Sequence, residues 1–269
     1  MPIINSAFLP PCPLLLPDIG KENSKILNKT TLAYQELAEL LRSAEIETLI
    51  IISKQNPYSS KRIALNVAST LSLDFSDFGH IAEKRSYNPA LGVADSIYQA
   101  IGAERAVRLI SAENLDAGSG IPLYMLGEEM KKLKILVIYT SNILNKAAHY
   151  EAGQKIREAL QDRPEKISII ASGSLSSRLK KNSLNGYLPK ASRFDNKLIE
   201  YLTKADDAYK KVLKIEESQE IELQDRSLKQ ISLQLGIIGN TYQTKILAYQ
   251  DDFGIGYLSM FFDLQVAQI

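Results

Sequence analysis

The feature that most constrains the fold is a regular alternation between short apolar runs and longer amphipathic stretches. Residues 48–52 read TLIII, a continuous and mostly β-branched run typical of a strand buried on both faces. Comparable runs occur at residues 3–8, 106–110, 134–139 and 167–171, and a closing strand pair is predicted at residues 244–249 and 256–262. The alternation predicts an α/β protein: a three-layer αβα sandwich around a mainly parallel or mixed sheet.

Helices are predicted between these runs from the spacing of apolar residues. Asn23 and Ser24 can cap a helix that continues to residue 41, and Asn88-Pro89 is typical of a helix start. Further helices are predicted at residues 122–132, 147–160, 194–208 and 228–238, with a long loop at residues 180–193. No repeat or low-complexity linker divides the chain, so we expect a single domain over residues 1–269.

Composition excludes some partners. The chain is 45% hydrophobic and 23% charged with a formal net charge of +1, which does not favour nucleic acid or an anionic membrane as a partner. Its single cysteine, Cys12, cannot form an intramolecular disulfide. The N-terminal residues lack the charged start and long apolar run of a signal peptide, and no membrane span is expected. We therefore expect a cytoplasmic protein.

The strand ends are where chemistry is expected. In open α/β sheets, ligands bind beyond the carboxyl ends of the strands. The segments to search are therefore those that follow residues 8, 52, 110 and 171.

These segments carry recognisable motifs. Residues 10–20 read PPCPLLLPDIG, residues 53–55 read SKQ, residues 115–118 and 121–123 read LDAG and IPL, and residues 172–177 read SGSLSS. In order and spacing they resemble the motifs of the class III extradiol ring-cleavage dioxygenase superfamily (LigB-like and Memo-like proteins). The resemblance covers nearly the whole chain and implies the LigB-like fold.

The resemblance also implies an iron site, which this sequence does not supply. Extradiol cleavage uses ferrous iron held by two histidines and a carboxylate, with another histidine as acid and base. The metal histidine positions hold Pro11 and Gln55, the acid/base position holds Ser177, and the other pocket histidine is Ala117. Ser174 replaces an acidic residue, and Asp225 is the nearest candidate for the carboxylate.

We therefore predict a protein that has lost iron binding and ring-cleavage activity and requires no cofactor. It would bind a small molecule in the old pocket or act as a structural or regulatory protein, either as a homo-oligomer or as a subunit with another protein. The vestigial pocket would comprise Pro11, Cys12, Gln55, Asp116, Ala117, Ser174, Ser177 and Asp225.

Alternatives remain open at this stage. A divergent metal-dependent dioxygenase, or another oxidoreductase of the superfamily, could use Cys12, Asp116, Asp225 and the serine-rich residues 172–177. Cys12 could be a thiolate ligand or nucleophile, although a buried structural cysteine is the simpler interpretation. The two histidines, His80 and His149, are interpreted as ordinary surface or hydrogen-bonded residues.

Overall fold

The computed structural model describes residues 2–54, 61–79, 85–101, 107–224 and 227–265. The strands in these ranges are β1 (Ile3–Leu9), β2 (Thr48–Ser53), β3 (Ile63–Asn66), β4 (Leu71–Leu73), β5 (Ser86–Pro89), β6 (Val107–Ile110), β7 (Asn114–Leu115), β8 (Lys134–Tyr139), β9 (Ile167–Ser172), β10 (Gln243–Gln250) and β11 (Tyr257–Asp263). The helices are α1 (Pro17–Gly20), α2 (Glu22–Ile26), α3 (Asn28–Ser43), α4 (Leu91–Ile101), α5 (Ala117–Leu126), α6 (Lys146–Leu160), α7 (Lys190–Leu202), α8 (Ala208–Leu213), α9 (Glu217–Leu223) and α10 (Leu228–Ile238).

The strands form one mixed sheet in the order β10-β11-β1-β9-β2-β8-β5-β4-β7, with β3 and β6 joined to it through β8. Its centre is parallel, because β1, β9, β2 and β8 pair side by side in the same direction. One margin is antiparallel, where β11 pairs with both β1 and β10. The expected mainly parallel or mixed sheet is confirmed.

Helices cover both faces of the sheet, as β2 illustrates. Leu49 and Ile51 point into the core shared with α3 and α5, whereas Ile50 and Ile52 point into the core shared with α4, α6 and α10. This strand has no solvent-facing side, which explains why its sequence is continuously apolar. A third cluster packs α7, α8 and α10 beside β1 and β11. The three-layer α/β sandwich predicted from the alternation is therefore confirmed, while the single domain stays a prediction.

Several predicted boundaries were wrong. Asn88 and Pro89 belong to β5, and the helix that follows begins at Leu91. The helix expected from residue 122 begins at Ala117, and α7 begins at Lys190 inside the predicted loop. No helix among the described residues is both long and apolar enough to cross a lipid bilayer.

Candidate functional site

The carboxyl ends of β1, β9, β2 and β8 lie along one edge of the sheet. The segments after β1, β2 and β9 therefore leave the sheet side by side, as expected from the sequence. The segment after Ile110 follows a different route, because β6 runs parallel to β3 and β3 runs antiparallel to β8. The chain is back at this edge at Asp116, whose carboxylate accepts a hydrogen bond from the Ser53 hydroxyl at 2.6 Å.

Three buried hydroxyl groups lie next to one another at this edge. Ser53 pairs with Tyr139 across β2 and β8. Ile52 pairs with Ala171, so Ser172 lies beside Ser53 on the other side. Alternate residues of a strand share a face, and the residues two positions earlier in these strands all belong to the core under α3 and α5. The three hydroxyl groups therefore point to the face that these helices cover.

Asp116 is the acidic residue that the fold brings to these three neighbouring hydroxyl groups. Its side chain caps α5 by accepting from the Gly118 backbone N–H at 2.9 Å. The other carboxylate oxygen accepts from the Ser119 hydroxyl at 2.5 Å. Burial raises the pKa of Asp116, and the hydrogen bonds from Ser119, Ser53 and the backbone oppose that rise. Both oxygens thus accept hydrogen bonds from donors of the chain itself.

Gly118 and Tyr139 complete the surroundings of this carboxylate. A Cβ atom on Gly118 would come within 2.2 Å of the Ser53 Oγ atom, so the close approach of β2 to α5 requires glycine here. Burial raises the pKa of Tyr139 well above its usual value, and the charge of Asp116 adds to that effect. Tyr139 is therefore a neutral phenol at physiological pH.

Pro11 and Cys12 occupy the first family loop. Pro11 is half-buried and offers no donor atom for a metal, and Cys12 is buried. Burial raises the pKa of the Cys12 thiol, and the nearby Tyr257 side chain opposes part of that rise. The Tyr34 hydroxyl donates to the Pro10 carbonyl at 2.9 Å and fixes the loop. The geometry matches a buried structural cysteine, since a reactive thiolate needs a lowered pKa.

Residues 172–177, the serine loop, bond mainly to the backbone. The Ser176 hydroxyl and the Ser177 N–H both donate to the Leu223 carbonyl at 3.2 Å. The Ser177 hydroxyl accepts from the Asn185 side chain at 2.9 Å, and Ser174 is half-buried. No hydrogen bond among the described residues joins this loop to Asp116 or Cys12.

Asp195 is a buried carboxylate that sequence reasoning missed. It is fully buried on α7, accepts from the Ser176 N–H at 3.1 Å and accepts from the Tyr249 hydroxyl at 2.8 Å. It shares one buried helical stripe with Ala191, Leu198 and Leu202. The signal in the sequence was an acidic residue at helical spacing from three apolar ones, which places it on the buried face of the helix. A carboxylate on a buried face needs hydrogen-bond donors around it.

The remaining predicted site residues divide into two groups. Gln55, Asp225 and also His80 lie outside the described residues. Ala117 is the first residue of α5, half-buried and without a donor atom. In residues 2–54, 61–79, 85–101, 107–224 and 227–265, no cluster of three or more His, Cys, Asp or Glu side chains could hold a metal ion.

The described part of the predicted pocket does not fit ferrous iron. Pro11 and Ala117 have no ligand atoms, burial favours the protonated Cys12 thiol, and the Asp116 carboxylate accepts three hydrogen bonds from the chain. Iron in extradiol sites requires imidazole and free carboxylate oxygens directed at one centre. Two cavities lined by described residues, of about 350 and 520 Å³, lie elsewhere and include none of the predicted site residues.

Comparison with known proteins agrees with this fold. Protein CA_C1420 of Clostridium acetobutylicum is 26% identical over 93% of this chain, and the match covers 55% of that relative. The chain thus spans about half the length of the curated relative. The crystal structure of the uncharacterized protein JW3007 from Escherichia coli K12 superposes with a TM-score of 0.67 at 18% identity, over 96% of this chain and 99% of that one. That likeness concerns the fold alone.

A family model described as the catalytic LigB subunit of aromatic ring-opening dioxygenase matches residues 6–260. The match includes the strand-end residues Pro11, Ser53, Asp116 and Ser177 and spans most of the chain. This protein therefore belongs to the LigB family.

Proposed function

We propose that this LigB-family protein has lost iron binding and ring cleavage. It would act as a non-catalytic protein that binds a small molecule or serves as a structural or regulatory subunit. The observation that carries this proposal is the pair of strand-end positions Pro11 and Ala117, whose side chains have no atom that could bind a metal. The Asp116 carboxylate accepts hydrogen bonds from Ser53, Ser119 and the Gly118 N–H, so donors of the chain already compensate much of its charge.

The neighbouring groups support the same proposal. The acid/base position carries Ser177, whose hydroxyl is held by Asn185, and a serine hydroxyl does not exchange protons near neutral pH as imidazole does. The thiol of Cys12 is kept neutral by burial. Neither Ser177 nor Cys12 supplies the imidazole base that ring cleavage uses.

Iron analysis tests the proposal directly. The purified protein would be incubated anaerobically with one equivalent of ferrous iron, desalted and analysed for bound metal. We expect far less than stoichiometric iron, and the same low value for Asp225→Ala and for an exposed control, Asp206→Ala. Near-stoichiometric iron that is lost only in Asp225→Ala would overturn the proposal and favour a divergent metal-dependent enzyme.

Oxygen uptake tests the catalytic alternative. A panel of catechols would be supplied to the iron-treated protein in an oxygen-electrode cell. The proposal expects uptake equal to that of free iron at the same concentration. Uptake above that background, abolished in Asp116→Asn while the variant remains folded, would establish an active oxidoreductase.

A role as part of a larger assembly has one specific observation in its favour. In CA_C1420 the matching region makes up 55% of the chain, so this type of domain occurs there together with additional chain. We propose that the present chain can likewise act together with further protein, as a subunit or as a homo-oligomer. Sedimentation of the purified protein, alone and from cell extract, would test this: a monomer in both cases would contradict it.

A further inference from the structure

A groove between α7, α8 and α9 lies apart from the predicted pocket. The groove has a volume of about 350 Å³, and one face of α7 lines it. This stripe carries Lys190, Arg193, Phe194, Lys197 and Tyr201 at the i, i+3, i+4, i+7 and i+11 positions, which lie on one face of a helix. Cationic and aromatic side chains therefore share the side of the groove that α7 forms.

Cations outnumber acidic side chains along the groove, and two of them are ion-paired, Lys190 with Glu222 and Lys211 with Asp207. Lys211 and Lys214 face α7 from the other side, so five cations line the cavity together with a single acidic residue, Glu216. The whole chain has a net charge of only +1, which makes this a local concentration. Arg193 and Lys214 form no ion pair with any described residue. These two guanidinium and ammonium groups are exposed and available to a ligand.

The floor of the groove is apolar and includes the Tyr201 ring, which lies near two lysine ammonium groups. The Nζ atoms of Lys197 and Lys211 lie 5.6 and 5.5 Å from the centre of the Tyr201 ring. Phe194 and Leu198 line the cavity beside it. An apolar floor under a cationic rim favours a ligand with a flat apolar body and a negative group, because each part finds its own complement.

We propose that this basic groove, lined by Arg193, Lys197, Tyr201, Lys211 and Lys214, binds a small aromatic anion, either a carboxylate or a phosphate ester. The volume lies at the small end of the range of ligand pockets, about 300–1,000 Å³, and so favours one small molecule over a protein helix. The proposal goes beyond the function proposed above and does not depend on the iron question. Failure to bind aromatic anions would leave the iron analysis unchanged.

Naphthyl compounds provide matched probes. The chain contains no tryptophan, so naphthalene fluorescence can be excited with little background from the protein. Binding of 2-naphthoate, 2-naphthyl phosphate and neutral 2-naphthol would be followed by fluorescence anisotropy. We expect saturable binding of one anion per chain, with naphthol bound more weakly. The stronger of the two anions identifies the head group.

Paired charge variants locate the site. Arg193→Gln combined with Lys197→Gln removes two cations of the groove, and Lys29→Gln combined with Lys132→Gln removes two exposed cations elsewhere. We expect at least about a tenfold loss of anion affinity in the first pair, because two charge-assisted contacts are lost, and none in the second. Binding should also weaken as salt rises, since exposed charges are screened.

Four outcomes would overturn the proposal. The first is no saturable anion binding, and the second is equal affinity for naphthol and the tighter-binding of the two naphthyl anions. The third is the same affinity in the groove variant as in its control. An acidic peptide that binds the groove while the naphthyl anions do not would also overturn it. All four substituted side chains are exposed, so unchanged thermal unfolding of both variants would show that the fold is intact.

Discussion

Acid should destabilise this protein through one buried histidine, His149. The ring is fully buried. Its Nε2 atom accepts a hydrogen bond from the Ser141 N–H at 3.0 Å, and its Nδ1 atom lies 2.8 Å from the Asn145 carbonyl oxygen. A carbonyl can only accept, so Nδ1 carries the proton and the ring is neutral. Burial lowers the pKa of His149 from 6.5 to about 4, and nearby Lys229 contributes to the shift.

The sign and size of the effect follow from this pKa. Between pH 6.5 and about 4, the unfolded chain binds a proton at His149 that the folded chain refuses. The contribution to stability is therefore complete above pH 6.5 and is lost as the pH falls toward the folded value. A difference of this size in pKa corresponds to a loss of about 3 kcal/mol in unfolding free energy.

Urea unfolding of the wild type and His149→Gln between pH 7.5 and 4.5 would measure this loss. Carboxylates titrate in both proteins and largely cancel in the difference. The stability advantage of the wild type should shrink by about 2–3 kcal/mol on acidification. A pH-independent difference, or an NMR titration of His149 with a pKa near 6.5, would refute the reasoning.

Substitutions of Gly236, Asp116 and Asp195 test helix packing and the two carboxylates, each by urea unfolding at pH 7. Gly236→Ala should cost about 1–3 kcal/mol, because its Cβ would come within 2.9 Å of the Gly153 Cα where α10 crosses α6. As a control, Gly92→Ala should cost nothing, because its Cβ would meet only the Arg163 guanidinium at 3.4 Å, an ordinary contact distance. Asp116→Ala should cost about 2–4 kcal/mol, because the helix cap is lost and two hydroxyl groups lose their partner. Asp116→Asn should cost clearly less. Equal losses in the two variants would contradict the capping role. Asp195→Ala should cost about 3 kcal/mol because it leaves buried donors unpaired, and a loss below about 1 kcal/mol would show that water replaces the carboxylate.

The central sheet could be predicted because its signal is local. Each of β1, β2, β8 and β9 is a run of six or seven residues whose apolar character reflects burial on both faces. The directions of β3 and β6, which join the sheet through β8, could not be predicted in the same way. Strands β3 and β6 have four residues each, and their direction depends on pairing with distant segments. Nothing in a four-residue run specifies such a partner, and the route of the segment after Ile110 was therefore missed.

The motifs indicated which segments of the candidate site lie side by side, but they did not indicate the hydrogen bonds that Asp116 forms. The motifs placed Ser53 and Asp116 in neighbouring segments, and the structure joins them by a hydrogen bond. The sequence did not indicate that Asp116 caps a helix, because the helix was expected to begin five residues later than it does. Nor did motif matching find Asp195, since it belongs to the packing of α7 and to none of the family motifs.

The bonding of Asp116 shows how the fold accommodates a carboxylate at its strand ends. A buried carboxylate is costly unless positive charge or hydrogen-bond donors surround it. In an iron site the cation supplies that compensation, and the oxygen lone pairs point at it. Here the donors are the Ser53 and Ser119 hydroxyls and the N–H at the start of α5, and the small Gly118 lets them approach. If iron binding has been lost, as proposed, these donors would compensate the carboxylate in place of the cation.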